Sequence, residues 1–513
     1  MGKINNTKVN KMFIFIFLSF LLKPVWLFDY TTLGTYGDDL SYWLHSTSLA
    51  FDYDLDYRND HNFNEGTFND ITKAPSHPPG SGYMSAIFVK IFSFFDLING
   101  KNIDRLNPIG TYAYLGYFFA SQLFVIFGFY FINKLFLSKG IYKNNPGIFI
   151  LTLLSTLIHF VGTRFLMSHA SEFFIASFII YIFERRKYLS EKDFYYLLFA
   201  YFFMSIIRPS TFIIMFLYFL IKHKNINLYK INYFKITTLL TLLVASYIFI
   251  SRKLYNTNTI LLNLSKNKTT EAFVDYLNFE LLLEGIIKLP NLFFSPSGGL
   301  IWTAPIIFLG FFVTLINIYK DLEVTLLSKL ATFFYIAGFF LVVIAWQGRE
   351  IAYGQRLLIG LLPFFMYQVG IYYKNKKSYL VIAFILISYI NYFYLYSSPN
   401  LTLKPGLSLW GTFLNFSSED YGIYLFREIY SLSNIFTSIA KSIYSVNFFG
   451  LVEFDSLNSI FSMLNFDENQ LATLRERASR YYLLPYSYIL GATSIYFLFL
   501  YSFIYIIYDK KKN

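Results

Sequence analysis

The feature that most constrains this chain is a recurrence of apolar runs about 20 residues long, the length needed to cross a bilayer, separated by short basic clusters. Such runs fall near 11–28, 110–133, 147–164, 166–183, 193–207, 210–221, 234–251, 300–319, 329–346, 356–373, 378–396 and 482–508. They predict an all-α integral membrane protein with about twelve transmembrane helices. Composition agrees: only 14% of the 513 residues are charged, against 55% apolar, too little charge to cover a water-soluble body of this size. The first run lacks a small-residue cleavage site before Lys23-Pro24 and so reads as a span, not a signal peptide.

Orientation follows from lysine and arginine. Alternate connections carry Lys3, Lys8 and Lys11; Lys134, Lys139 and Lys143; Arg185, Arg186 and Lys187; Lys222, Lys224 and Lys230; Lys374, Lys376 and Lys377; and Lys510, Lys511 and Lys512. The positive-inside rule places all of these, and both termini, in the cytoplasm. The formal charge of +12 is thereby topological, and nucleic-acid binding is not implied. The chain has no cysteine, which excludes disulfides and thiolate metal sites.

All the long connections then face outward: 29–82, 252–299 and 397–481. The organisation is a multi-span core over 1–396 that includes the first two of these loops. A loop region, 397–481, comes next, with short amphipathic helices, and then a last span and basic tail, 482–513. The first loop is acidic, holding nine of the chain's 31 Asp and Glu between Asp29 and Asp70 against the single Arg58. Chemistry is expected on these loops, at the outer face.

Several groups are candidates. Asp38-Asp39 lies just beyond the first span, where partial desolvation raises a carboxylate's pKa and makes it a better base. Adjacent acids could also hold a divalent cation, although the sequence requires no cofactor. The same pair reads equally as a helix N-cap. His77-Pro78-Pro79 stiffens the loop's return to the membrane; a plain helix-start turn is the alternative. Arg356 opens a span at the outer face after Tyr353-Gly354-Gln355, where an arginine needs a partner or a wet cavity and its fork suits a phosphate. Arg164 to His169 forms a tight outer turn. Arg208-Pro209 interrupts a long apolar run, as a broken helix lining a site or as two short spans.

Taken in order and on one side of the membrane, these pieces resemble the GT-C class of membrane glycosyltransferases, and within it the bacterial relatives of protein O-mannosyltransferases and aminoarabinose transferases. Asp38-Asp39 stands where that class places an acidic pair, usually Asp-Glu, with Tyr42 following. His77-Pro78-Pro79 matches a Lys/His-Pro-Pro signature. Ile207-Arg208-Pro209-Ser210, Ser295 to Trp302, and Tyr353-Gly354-Gln355-Arg356 look similar, less specifically. The resemblance covers about residues 10 to 375. A further first-loop acid of some relatives has no single match among Asp52, Asp54, Asp56 and Glu65.

The resemblance implies inverting transfer of a sugar from a polyprenyl-phosphate donor to an extracytoplasmic envelope acceptor, whether glycan, lipid or protein. It implies Asp38 as base, Asp39 orienting the acceptor or holding a metal, and Arg356 with His77 on the donor phosphate. Tyr42, Tyr353, Gln355, Arg208, Arg164 and His169 would be weaker substrate contacts. The membrane would be a bacterial inner membrane, the site facing the periplasm, and membrane lipids are partners. Two other classes compete. A secondary transporter should show ionisable residues near the midplane, where Glu172 is the main one. An O-antigen polymerase or ligase concentrates Arg and His in a late outer loop, and 397–481 has arginines but no histidine.

Overall fold

A computed structural model of the chain describes residues 38–58, 72–141 apart from several between 101 and 110, and 145–260 apart from short gaps at 158–159, 162–163, 186–188 and 223–231. Between 283 and 397 it describes chiefly helices. The expected first and last spans, loop 397–481, Tyr353 and Gln355 lie outside the described residues.

Among the described residues every regular element is helical. A short helix α1 (Asp38–Thr47) runs into a π-turn (Ser48–Asp52) and is followed by α2 (Gly80–Ile98) and α3 (Tyr112–Ser138). Next come α4 (Asn145–Thr152), α5 (His169–Arg185), α6 (Glu191–Ile207), α7 (Pro209–Lys222) and α8 (Tyr233–Tyr255). Two short turns of helix, α9 (Leu289–Phe294) and α10 (Leu300–Thr303), precede α11 (Pro305–Lys320) and α12 (Leu326–Ala345). A 3-10 segment (Arg356–Leu361) leads into α13 (Leu362–Tyr372), and α14 (Tyr379–Ser397) closes the described chain.

The core is aromatic and aliphatic throughout, with Trp43, Tyr117, Phe129, Phe149 and Phe173 fully enclosed. Outward-facing side chains are also apolar, among them Leu240, Leu242, Val244 and Phe249 on α8 and Phe333 and Phe334 on α12. Helices hydrophobic all round belong in a bilayer. By length and composition, α2, α3, α8 and most of α12 can each cross one, and the protein is an all-α integral membrane protein.

The Arg208 break is a hairpin. A capping box of Ser190 and Asp193 starts α6, and Pro209, which lacks the N–H a continuing helix would need, starts α7. Tyr201 then donates to the Met215 carbonyl at 3.3 Å and packs on Phe212, Phe216 and Phe219. Residues equidistant from Arg208 thus face each other, so these are two antiparallel helices with Arg208 at the turn.

Helix α2 is apolar and 19 residues long, about 28 Å, and the sequence marks it as no more than an apolar stretch after the first outer loop. Both its ends stay at one end of the bundle. Gly80 abuts the Ile206 backbone at the end of α6, where a Cβ would approach to 2.7 Å. Ser81 bonds the Tyr117 hydroxyl at 3.1 Å, and the Asp96 carboxylate accepts from the first N–H groups of α3, Tyr112 at 2.8 Å and Ala113 at 2.7 Å. Both ends of α2 are thus held to the first two turns of α3, while Phe88 in its middle packs on Phe119 and Phe124. Helix α2 therefore runs obliquely to α3, with Ile87, Ile91, Phe94 and Leu97 facing away from the bundle.

Candidate active site

Helix α1 brings the acidic pair to this same end. Asp38 is its first residue, at the start that both the cap and the base readings require. Asp39 is buried, and its Oδ2 accepts from Arg164 at two nitrogens, Nε at 2.9 Å and Nη2 at 2.5 Å. The arginine comes from the turn before α5, which is pinned to α3: Tyr117 donates to the Leu166 carbonyl at 2.9 Å, Ser121 to Phe165 at 2.6 Å and Gln122 to Val161 at 2.6 Å. Two sequence candidates 125 residues apart thus form one ion pair, and that pair fastens α1 to the bundle.

One turn along α1, Tyr42 stacks at a tilt on the His77 ring, centroids 5.5 Å apart, and Ser41 Oγ lies 3.3 Å from His77 Nδ1. The His77 carbonyl accepts two bonds, from His45 Nε2 at 2.8 Å and from the Tyr255 hydroxyl at 2.7 Å. Because a carbonyl only accepts, His45 carries its proton on Nε2, and its Nδ1 takes the Tyr57 hydroxyl at 2.6 Å. Burial holds the His45 imidazole neutral, lowering its pKa to about 3. The loop return is therefore locked beside the acidic pair, as its Pro-Pro stiffness implies.

Three further described acids of the loop are committed elsewhere. Asp52 binds Arg105 through both oxygens, at 2.5 and 2.6 Å, Asp54 accepts from the Asp56 N–H at 3.1 Å, and Asp56 pairs with Arg58. Among the described residues no group of three or more His, Asp or Glu is arranged around a metal.

A second cluster lies at the adjoining helix ends, and sequence reasoning missed its centre. Glu172, one turn into α5, is fully enclosed. Its Oε1 accepts from Thr211 in the first turn of α7 at 2.6 Å; its Oε2 faces His169 Nδ1 at 3.4 Å and Arg208 Nε at 3.8 Å. The carboxylate sits at the positive end of α7. Arg356 opens the 3-10 segment, which crosses Glu172 so closely that a Cβ on Gly360 would lie 2.9 Å from Oε1. Both Arg208 and Arg356 act electrostatically on the His169 ring. The structure thus brings two sequence candidates, His169 and Arg208, onto a residue the sequence marked only as a charge inside an apolar run, with the segment that Arg356 opens crossing beside it. That burial was itself the signal: a carboxylate there must be paired.

No known protein family matches the chain, and no curated protein does. Among solved structures, it is similar to the crystal structure of ArnT from Cupriavidus metallidurans bound to undecaprenyl phosphate, at 12% identity and a TM-score of 0.37, over 95% of this chain and 76% of that one. A likeness of that size carries no argument about the chemistry of this chain.

Proposed function

We propose that the protein is a membrane glycosyltransferase of the GT-C type, moving a sugar from a polyprenyl-phosphate donor to an acceptor on the outer side of a bacterial inner membrane, with inversion. The observation that carries this reading is the assembly, at one end of an apolar bundle, of the Asp38-Asp39 pair, the locked His77 return and a cluster containing Arg208 and Arg356. An acid and a phosphate-binding cation are the two groups that such a transfer needs.

In the reaction, Asp38 takes the proton of the acceptor hydroxyl as its oxygen attacks the sugar C1. The bond from C1 to the phosphate oxygen breaks, and the electron pair leaves with the polyprenyl phosphate. Arg356 and His77 stabilise that phosphate as its charge grows. The phosphate is already a good leaving group, so no second carboxyl is needed to protonate it, unlike in glycoside hydrolysis. Asp39, neutralised by Arg164, fixes α1 and with it the base. Tyr42 lines the acceptor side, and the donor's tail lies among the apolar helices.

Sugar transfer from a labelled polyprenyl-phosphate sugar, measured in membranes, tests the reading. Wild type should transfer; Asp38→Asn should lose transfer by about a thousandfold or more at equal expression. Undiminished transfer by Asp38→Asn removes the base assignment, and failure of the wild type with every donor removes the reaction class.

A further inference from the structure

Neither proline of the His77-Pro78-Pro79 return carries an N–H, so the bundle must hold this turn through its carbonyls. The His77 carbonyl takes donors from two different elements, His45 Nε2 of α1 at 2.8 Å and the Tyr255 hydroxyl at the end of α8 at 2.7 Å. His45 is fully enclosed and stands edge-on to the Tyr57 ring at 5.3 Å and the Tyr83 ring at 5.9 Å between centroids. Gly82 at the start of α2 presses on it so closely that a Cβ there would lie 2.6 Å from the His45 Cβ. Burial keeps the Tyr57 hydroxyl protonated, and it donates to His45 Nδ1 at 2.6 Å. Tyr57 and Tyr255 in turn share a small apolar cluster with Ala74 and Leu254. The His77 ring, half-buried, rests on the same helix as His45, against Ser41 and Tyr42.

Positions 38, 41, 42 and 45 stand at i, i+3, i+4 and i+7, one stripe of α1. Along that stripe position 38 opens the helix, Ser41 and Tyr42 meet the His77 ring, and His45 grips the His77 peptide. A bond to the backbone fixes where a residue sits, and contacts to its ring fix which way it faces. We infer that His45 is a positioning residue, holding the His77 peptide by Nε2 so that the His77 imidazole keeps one place relative to the helix that begins at Asp38. Being fully enclosed, His45 acts only through His77. The inference rests on the transferase reading and adds to it the residue through which the base and a phosphate ligand share one rigid element.

The bond from His45 is made to backbone, so it survives removal of the His77 ring, and that separates positioning from mere support. The measurement is binding of undecaprenyl phosphate to the purified full-length protein in nanodiscs, beside the transfer assay. His45→Leu should weaken binding about tenfold in the wild-type background and not at all beside His77→Ala, where the ring it places is gone. A merely structural His45 would cost the same factor in both backgrounds. Equal factors, or a His45→Leu protein that binds like wild type, overturn the inference. His45→Gln keeps an N–H at the same reach and should restore most of the affinity; a Gln variant as weak as Leu counts against the proposal. Should His45→Leu fail to fold, Tyr57→Phe releases His45 Nδ1 while leaving every ring in place. It should weaken binding only where the His77 ring is present, and an equal loss in both backgrounds, or none, overturns the inference. A wild type that transfers sugar while His45→Leu binds undecaprenyl phosphate as tightly fails this inference alone; a wild type that transfers from no donor fails the transferase reading with it.

Discussion

Asp39 and Arg164 show how little of a pairing is visible along a chain. Each is singled out by its position at the outer face, and nothing in the sequence joins them, because the contact is made only when α1 folds back over the turn before α5. The same holds for Glu172, whose partners arrive from α7 and the 3-10 segment. What the sequence does disclose is the residue type: a charge inside an apolar run, such as Glu172, must find a partner, and it did. At this scale the pair yields a prediction. Arg164→Ala leaves an enclosed carboxylate without its cation and should cost about 3 kcal/mol of local stability. Arg164→Ala combined with Asp39→Asn should recover most of it, as read by thermal unfolding of the purified protein.

Elements were more legible than pairs. The apolar runs near 110–133, 193–207, 210–221, 234–251 and 329–346 all contain helices at nearly the expected bounds, because a continuous apolar stretch leaves few alternatives in a bilayer. The Arg208 break stayed open between a kink and a turn, since proline ends one helix and starts another equally well; the Tyr201 contacts decide it. Loop-return geometry depends on His45, which in the sequence is an ordinary residue of an amphipathic helix. Folded His45 refuses a proton that the unfolded chain accepts near pH 6.5, so its contribution to stability is complete above that pH and declines as the pH falls toward 3. Protection of segment 38–58 from hydrogen exchange should fall as pH drops from about 6.5 to about 4.5, and His45→Gln should flatten that dependence. Likewise, Asp96→Ala removes the acceptor of the first two N–H groups of α3 and should destabilise its first turn by about 1–2 kcal/mol, measurable as faster exchange at Tyr112 and Ala113.

For the whole molecule, the absence of cysteine makes topology directly measurable. Single cysteines at Asn99 and Ser76 should both react with a membrane-impermeant maleimide added outside, and one at Ser138 only after the membrane is opened. Labelling of Asn99→Cys from the cytoplasmic side would mean that α2 crosses, reversing every later span. One end of the bundle is where α1, the α5 turn, the Arg208 hairpin and the 3-10 segment meet, so segments from opposite ends of the described chain depend on one another there.

Helix α2 also sets a problem for biogenesis. As it leaves the ribosome it is long and greasy enough for the insertion machinery to treat as a stop, yet both its ends finish beside the first two turns of α3. Its sequence does not by itself dictate that outcome. The lysines at and after the end of α3, Lys134, Lys139 and Lys143, act as ballast: were α2 to be threaded through, they would have to be carried to the far side. Neutralising all three should therefore yield a mixed population of opposite orientations in newly made chains, from a change made well downstream of the helix it redirects.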